Sequence, residues 1–195
     1  RQIICTPAKS YYENQEIWVK IEEKYSRAAS GGVGYAKAAG NYAAQFYPTQ
    51  IAKDEGFQQI IWTDSNNHNR VEEAGTMNLF FKINDTLITS PISDSILDGV
   101  TRKSVIDLAK SMSINVEERD ITVEELLLAH NSGSLKEIFG TGTAVSVLPI
   151  NGFGFRGKRF SIISDNEKTS SQLKIKLNNI QYAKTKDFSH WQYKI

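Results

Sequence analysis

The stretch Gly31-Gly32-Val33-Gly34-Tyr35-Ala36-Lys37-Ala38-Ala39-Gly40-Asn41-Tyr42 sets one lysine among small residues. Lysine usually occupies a solvated surface with long polar neighbours. Small residues instead let backbone and ligand approach closely. A lysine held in a dry, crowded place gives up its proton more easily, and its neutral amine then attacks carbonyls. Lys37 is, in that case, a Schiff-base lysine. The plain alternative is a glycine-rich loop carrying one solvated lysine.

On the C-terminal side of this loop, Asn41 is expected to cap a helix over 42–55. Its apolar side holds Ala43, Phe46, Tyr47 and Ile51, and Gly56 stands at its end. Pro48 is expected to shorten or bend it. On the N-terminal side, 16–29 has helical composition with modest periodicity, while 1–16 shows no clear pattern. Strands are expected at 58–63 and, as a hairpin across Asn84-Asp85, at 77–83 and 86–89, with 64–69 as a turn. A helix over 101–112 places Val105, Ile106, Ala109 and Met112 on one stripe. A strand at 116–121 leads into the capping box Thr122-Val123-Glu124-Glu125, with Glu125 reaching back, and a short helix that stops near Gly133. Residues 136–139 and 144–150 read as strands around Gly140-Thr141-Gly142-Thr143, and 151–160 as a glycine-rich hairpin. Asp165 is expected to cap a last helix over 166–183, with Leu173, Leu177 and Ile180 facing inward. Strands and helices interleave without a regular βαβ repeat. The fold class is therefore α/β or α+β, with a mixed sheet and helices around it.

Composition excludes several classes. The 195 residues suffice for one large domain or two small ones, and 40% hydrophobic content with 23% charged is ordinary for a soluble domain. With 23 basic against 22 acidic residues and no long block of like charge, nothing points to nucleic acid or a membrane surface. The single cysteine, Cys5, excludes an internal disulfide framework and fits a reducing compartment, so a cytoplasmic location is expected. His68, His130 and His190 are scattered without metal-ligand spacing. No apolar run is long enough to span a bilayer, and no signal peptide is visible.

One glycine motif is a decoy. Gly152-Phe153-Gly154-Phe155-Arg156-Gly157-Lys158 matches the dinucleotide fingerprint and most of a P-loop. A P-loop needs Ser or Thr after its lysine, and Arg159 stands there. Both motifs also need a helix opening inside the glycine run. Arg159-Phe160-Ser161-Ile162-Ile163 instead reads as a strand, so a β-hairpin is expected.

Two other loops suit an anion. Leu97-Asp98-Gly99-Val100-Thr101 lies at a helix start, where free N–H groups and the dipole favour negative charge. Gly140-Thr141-Gly142-Thr143 follows a strand with hydroxyls and accessible N–H groups. Together they could hold a cofactor phosphate near Lys37. Glu72-Glu73-Ala74-Gly75-Thr76-Met77-Asn78 sets a carboxylate among small residues just before an apolar strand. It is either a solvated acidic turn or a group facing a buried site. A buried carboxylate opposite a pyridine nitrogen keeps that nitrogen protonated and makes the ring an electron sink.

The order Gly31…Lys37…Gly40-Asn41-Tyr42, then Glu73 to Asn78, then Leu97 to Arg102, then Gly140 to Ala144, closely resembles the branched-chain amino-acid aminotransferases. These are class IV pyridoxal-phosphate enzymes of fold type IV, and the likeness runs from about residue 20 to the C-terminus. The resemblance implies a barrel-like large domain and transfer of the amino group of Leu, Ile or Val to 2-oxoglutarate. It implies that Lys37 forms the Schiff base and shuttles the proton, Tyr42 bonds the cofactor's phenolic oxygen, and Glu73 rather than Glu72 pairs with the ring nitrogen. Leu97 would pack on the ring, and Val100, Thr101 and Thr143 would bind the phosphate. Thr76, Thr143 and Ala144 would lie at the substrate, in an apolar pocket. By the same likeness, 1–30 ends an interdomain connection and lead-in helix and 31–195 forms the cofactor-binding domain. The small N-terminal domain of the family, which supplies an arginine to the phosphate, is expected to be missing, and a homodimer is expected. A redox Cys-x-x-Cys found in some relatives is replaced by Ala144-Val145-Ser146-Val147-Leu148. Three alternatives stand beside the aminotransferase. One is an isolated cofactor-binding domain without turnover. The second is a D-amino-acid aminotransferase or aminodeoxychorismate lyase relative. The third, weakest, is a nucleotide-binding module.

Overall fold

A computed structural model describes residues 17–163 and 168–192. Its centre is one nine-stranded mixed sheet. The strands are β1 (Ile17–Ile21), β2 (Gln59–Thr63), β3 (Val71–Ala74), β4 (Asn78–Ile83), β5 (Thr86–Thr89), β6 (Asn115–Glu118), β7 (Leu135–Gly142), β8 (Ser146–Phe155) and β9 (Lys158–Ser161). The spatial order is β3-β2-β1-β8-β7-β4-β5-β6, and β9 pairs with β8. β1 lies between two parallel partners, with Val19 opposite Gln59 of β2 and Phe153 of β8. The β4–β5 hairpin turns at Asn84, in the left-handed region at φ 50°.

Both faces of the central strands are covered, which explains the apolar runs of β2 and β4, whereas the outer β6 and β9 carry charged residues. Side chains alternate between faces. Leu79, Phe81, Ile138 and Leu148 share a core with α4 (Val123–Asn131). Their neighbours Phe80, Phe139 and Val147 pack with α3 (Val100–Ser111) and α5 (Thr169–Gln181). A third cluster, Ala52, Phe57, Ile60 and Trp62, seats α2 (Phe46–Asp54) on β2. The mixed sheet with surrounding helices is as expected. Leu173, Leu177 and Ile180 of α5 are buried. The expected Asp165 cap falls outside the described residues.

Several local expectations are corrected. Residues 17–21 form a strand, not part of a lead-in helix: Ile17, Val19 and Ile21 alternate with half-buried Trp18 and Lys20, and two parallel neighbours override the local helical composition. The helix expected over 42–55 is two pieces, α1 (Ala39–Ala43) and α2. Pro48 sits in the first turn of α2, where its missing N–H costs nothing. Asn41 lies inside α1 rather than capping it, and its amide donates back to Val33 O and Ala36 O, both at 2.8 Å. Val71–Ala74, a possible acidic turn by composition, is a fully buried strand. The capping box is half made. Thr122 Oγ1 accepts from Glu125 N at 3.0 Å, while the Glu125 carboxylate turns to Arg119 at 2.7 Å. The decoy glycine run is the β8–β9 hairpin, with Phe155 opposite Lys158.

Candidate active site

Ends of β3, β4 and β7, the start of α3 and the glycine loop converge on one cleft of about 180 Å³. Its wall includes Lys37, Tyr42, Glu73, Thr76, Leu97, Val100, Thr101 and Thr143. Ala144 does not line it; it sits exposed in the β7–β8 turn, one residue beyond the wall.

The glycine loop is seated by contacts that small residues permit. A Cβ at Gly34 would lie 2.7 Å from Ser95 Cα and 2.8 Å from Asp94 O, so any side chain there would push the loop off the 94–95 segment. Tyr35 N donates to Asp94 O at 2.9 Å, and the Gly31 N–H donates to the Asp94 carboxylate. Asn41 holds the loop from the other side. Lys37 Nζ then donates to Tyr42 Oη at 2.9 Å. The expected dry setting for Lys37 is not found. Its side chain is exposed, because the small neighbours that admit the backbone also leave the ammonium uncovered. Val33 and Tyr35 of the same loop are exposed as well, and so are Phe46 and Tyr47 at the start of α2.

Alternation along β3 separates the two glutamates. Glu72 turns away from the cleft, and its Oε1 accepts from Ser95 Oγ at 2.6 Å. Glu73 faces the cleft at 5% exposure. Its Oε1 pairs with Arg27 Nη2 at 3.0 Å, and its Oε2 accepts from Leu97 N at 3.0 Å and Asn78 Nδ2 at 3.2 Å. Burial pushes the Glu73 carboxyl up to about 7, against the pull of Arg27 and the Leu97 N–H. Burial also raises Glu72, against its bond from Ser95.

That raised value has a consequence for stability. The folded chain holds the Glu73 proton more tightly than the unfolded chain, whose carboxyl titrates near 4.5. The contribution of this group is therefore fully present below about pH 4.5 and is lost as pH rises through about 7. Without cofactor, the denaturant midpoint is expected to fall across that window, by at most on the order of 3 kcal/mol. Glu73→Gln is expected to flatten this part of the curve. Equal pH slopes for the two proteins in urea melts would contradict the assignment.

The α3 end of the cleft suits an anion. Gly99 caps the helix without any side-chain hydrogen bond, so the first-turn amides of Val100 and Thr101 have no intrahelical acceptor. A Cβ at Gly99 would run into Asn78 Oδ1, so any side chain in this turn would push Asn78 from its place at the end of β4. Asn78 is paired with Thr141 across β4–β7. Thr141 Oγ1 is buried in the cleft wall without a hydrogen-bond partner. Sequence reasoning missed Arg27 and Asn78. Arg27 lies in no motif, and Asn78 closes one whose chemistry was assigned to its glutamate.

A larger hollow of about 950 Å³ lies between α3, α5 and Trp191. It shares Val100 with the cleft but none of the other candidate site residues. Among the described residues no cluster of His, Cys, Asp and Glu could hold a metal, and no helix is long and apolar enough to cross a membrane.

Against known proteins, the amino-transferase class IV family profile matches residues 4–153. The chain is 39% identical over 198 residues to the branched-chain-amino-acid transaminase 1 of Bacillus subtilis, an alignment covering 99% of this chain and 55% of the relative. The branched-chain aminotransferase of Thermoproteus uzoniensis with norvaline superposes with a TM-score of 0.80 at 24% identity, covering 95% of this chain and 58% of that one. The branched-chain amino acid aminotransferase of Thermobaculum terrenum in its PLP form gives 0.77 at 22% identity, covering 92% and 55%. The mixed curled sheet is the fold of these structures. The chain spans about half the length of the curated relatives it matches.

Proposed function

The chain belongs to the amino-transferase class IV family, and on that footing we propose that its cleft binds pyridoxal 5'-phosphate and serves transamination of branched-chain L-amino acids with 2-oxoglutarate. The observation that carries this is convergence: Lys37, Tyr42, Glu73, Leu97, Val100, Thr101 and Thr143 come from four separate segments and share one cleft. The residues present fit the cofactor on three counts. An uncapped helix start offers amides to a phosphate. An unpartnered Thr141 hydroxyl lies buried in the wall. A buried carboxyl that titrates near neutrality can share a proton with a ring nitrogen. When bound, pyridoxal phosphate supplies an electron sink for charge developing at the substrate Cα.

The chain's own groups divide the remaining work. Lys37 Nζ attaches the cofactor and carries the proton to and from the substrate Cα. Tyr42 Oη, already on Lys37 Nζ, donates to the ring's phenolic oxygen. Glu73 holds the proton at the ring nitrogen. Leu97 packs on the ring, and Val100 and Thr101 amides with Thr143 hold the phosphate. Thr76 and Thr143 lie at the substrate, while Ala144, outside the cleft wall, is left out of the pocket. β1 and Arg27 share the sheet and the cleft, so the cofactor-binding domain starts before the expected boundary at residue 31, and the working unit is a homodimer. The exposed Lys37 flank favours one second reading, a cofactor-binding domain that does not turn over by itself.

The test is a half-reaction screen on the chain reconstituted with pyridoxal phosphate. L-leucine, L-isoleucine and L-valine are expected to convert the bound cofactor to its amine form and release the matching 2-oxo acids, at least about tenfold faster than D-alanine. A cofactor band that no amino acid alters supports the second reading. Faster reaction with D-alanine would overturn the substrate class.

A further inference from the structure

Arg27 belongs to none of the motifs, yet its guanidinium is buried at the junction of three segments. One nitrogen, Nη2, serves all of them. It lies 3.0 Å from Glu73 Oε1 at the end of β3, and it donates to Gly34 O in the glycine loop at 3.1 Å. It also donates to Ser95 O, two residues before the Leu97 amide that holds the other oxygen of Glu73. The Nε of the same side chain is buried without a partner. Burying an arginine and leaving one of its donors unused is costly. That cost is tolerated here by a group whose Nη2 reaches the Lys37 loop, the Leu97 segment and the cleft carboxylate at once.

We propose that Arg27 is a positioning residue that aims the Glu73 carboxylate and docks the Lys37-bearing loop against it. The inference rests on the cofactor reading of the cleft for its functional meaning, but not for its geometry. Among the described residues the Glu73 carboxylate has one cation in direct contact, Arg27, with Lys37 across the cleft and Glu72 next to it on β3. Tyr42 and Asp98 complete the titratable groups of the wall. Without the guanidinium, Glu73 loses its adjacent positive charge. The Gly34 and Ser95 carbonyls lose a shared donor, and the loop is left with its hydrogen bonds to Asp94 and Asn41 and the packing of Gly34 on the 94–95 segment.

The test uses the chain without cofactor, so its outcome is separate from that of the transaminase reading. The titration of Glu73 is followed by carboxyl carbon NMR, and protection of the 31–37 amides by hydrogen exchange. Arg27→Met is expected to raise the Glu73 midpoint by about one pH unit or more. It is also expected to speed exchange of the 31–37 amides about tenfold, while amides of β7 and β8 keep their protection. Arg27→Lys retains three donors on one nitrogen and should recover part of both effects. If Arg27→Met fails to fold, Arg27→Lys and Glu73→Gln carry the test. Glu73→Gln removes only the charge partner and should loosen the 31–37 amides in the intact chain. An unchanged Glu73 midpoint in Arg27→Met would overturn the proposal. So would loop protection that neither Arg27→Lys nor Glu73→Gln alters. Absence of a cofactor band in the unmodified chain would remove the transaminase reading and leave these results standing.

Discussion

Lys37→Ala is expected to lower the amino-acid half-reaction by at least about 10³-fold. The absorption band that pyridoxal phosphate acquires on bonding to the chain should vanish with it. On the proposed reading the same Nζ attaches the cofactor and carries the proton at the substrate Cα, so two functions leave together. Among the described residues Lys37 is the one lysine of the cleft wall. Stability should hardly change. The side chain is exposed and its one described hydrogen bond is to Tyr42, so the substitution belongs with surface changes of about 0.5 kcal/mol or less. A thermal melt of the cofactor-free variant separates the two effects. A variant that keeps the band and most of the rate would end the assignment of Lys37.

Glu73→Gln should be the next most damaging change, lowering kcat/KM for L-leucine by roughly 10²-fold or more. Glutamine cannot hold a proton on a ring nitrogen as a carboxylate does. It also leaves the buried Arg27 without its charge partner, a loss that costs on the order of 3 kcal/mol in other buried pairs. Glu72→Gln should cost less than about tenfold, because that carboxyl turns from the cleft to Ser95. Rates are to be scaled by cofactor bound per chain, so that loss of folding is not mistaken for loss of chemistry. The reverse ranking of the two variants would overturn the choice of Glu73.

Lys37, the Glu73 stretch and the two anion loops were legible locally, from small neighbours that betray close approach, whereas the roles of Tyr42, Thr76, Leu97, Thr143 and Ala144 came only with the family resemblance. Lys37 among glycines and alanines, Glu73 before Ala74-Gly75, and Val100 and Thr101 after Gly99 are all local signals. Their convergence came from the order of the motifs, and the structure places eight of the nine candidates in the cleft wall. Arg27 was not legible, since its partners Gly34, Glu73 and Ser95 are brought to it only by folding. Local composition misled at β1 and β3. Both carry charged or helix-favouring residues, and both become strands because neighbouring strands satisfy their backbones. The openness of Lys37 was also hidden, because small residues announce close backbone packing but not which side of the loop is covered.

The placement of β1 between β2 and β8 also shapes how the chain must assemble. Ile17 near one end pairs with Ile150, and Val19 with Phe153, so the sheet cannot close around β1 until β8 is available. Contacts that join such distant parts of a chain demand costly loop closure and slow the search for the native state. During synthesis β1 emerges before both of its partners; β2 can cover one edge early, but the other stays unpaired until nearly the whole sheet has emerged. Substitutions in Ile17–Ile21 or Ile150–Phe153 should therefore appear first as poor yield and aggregation during expression, before any defect in the chemistry of the cleft.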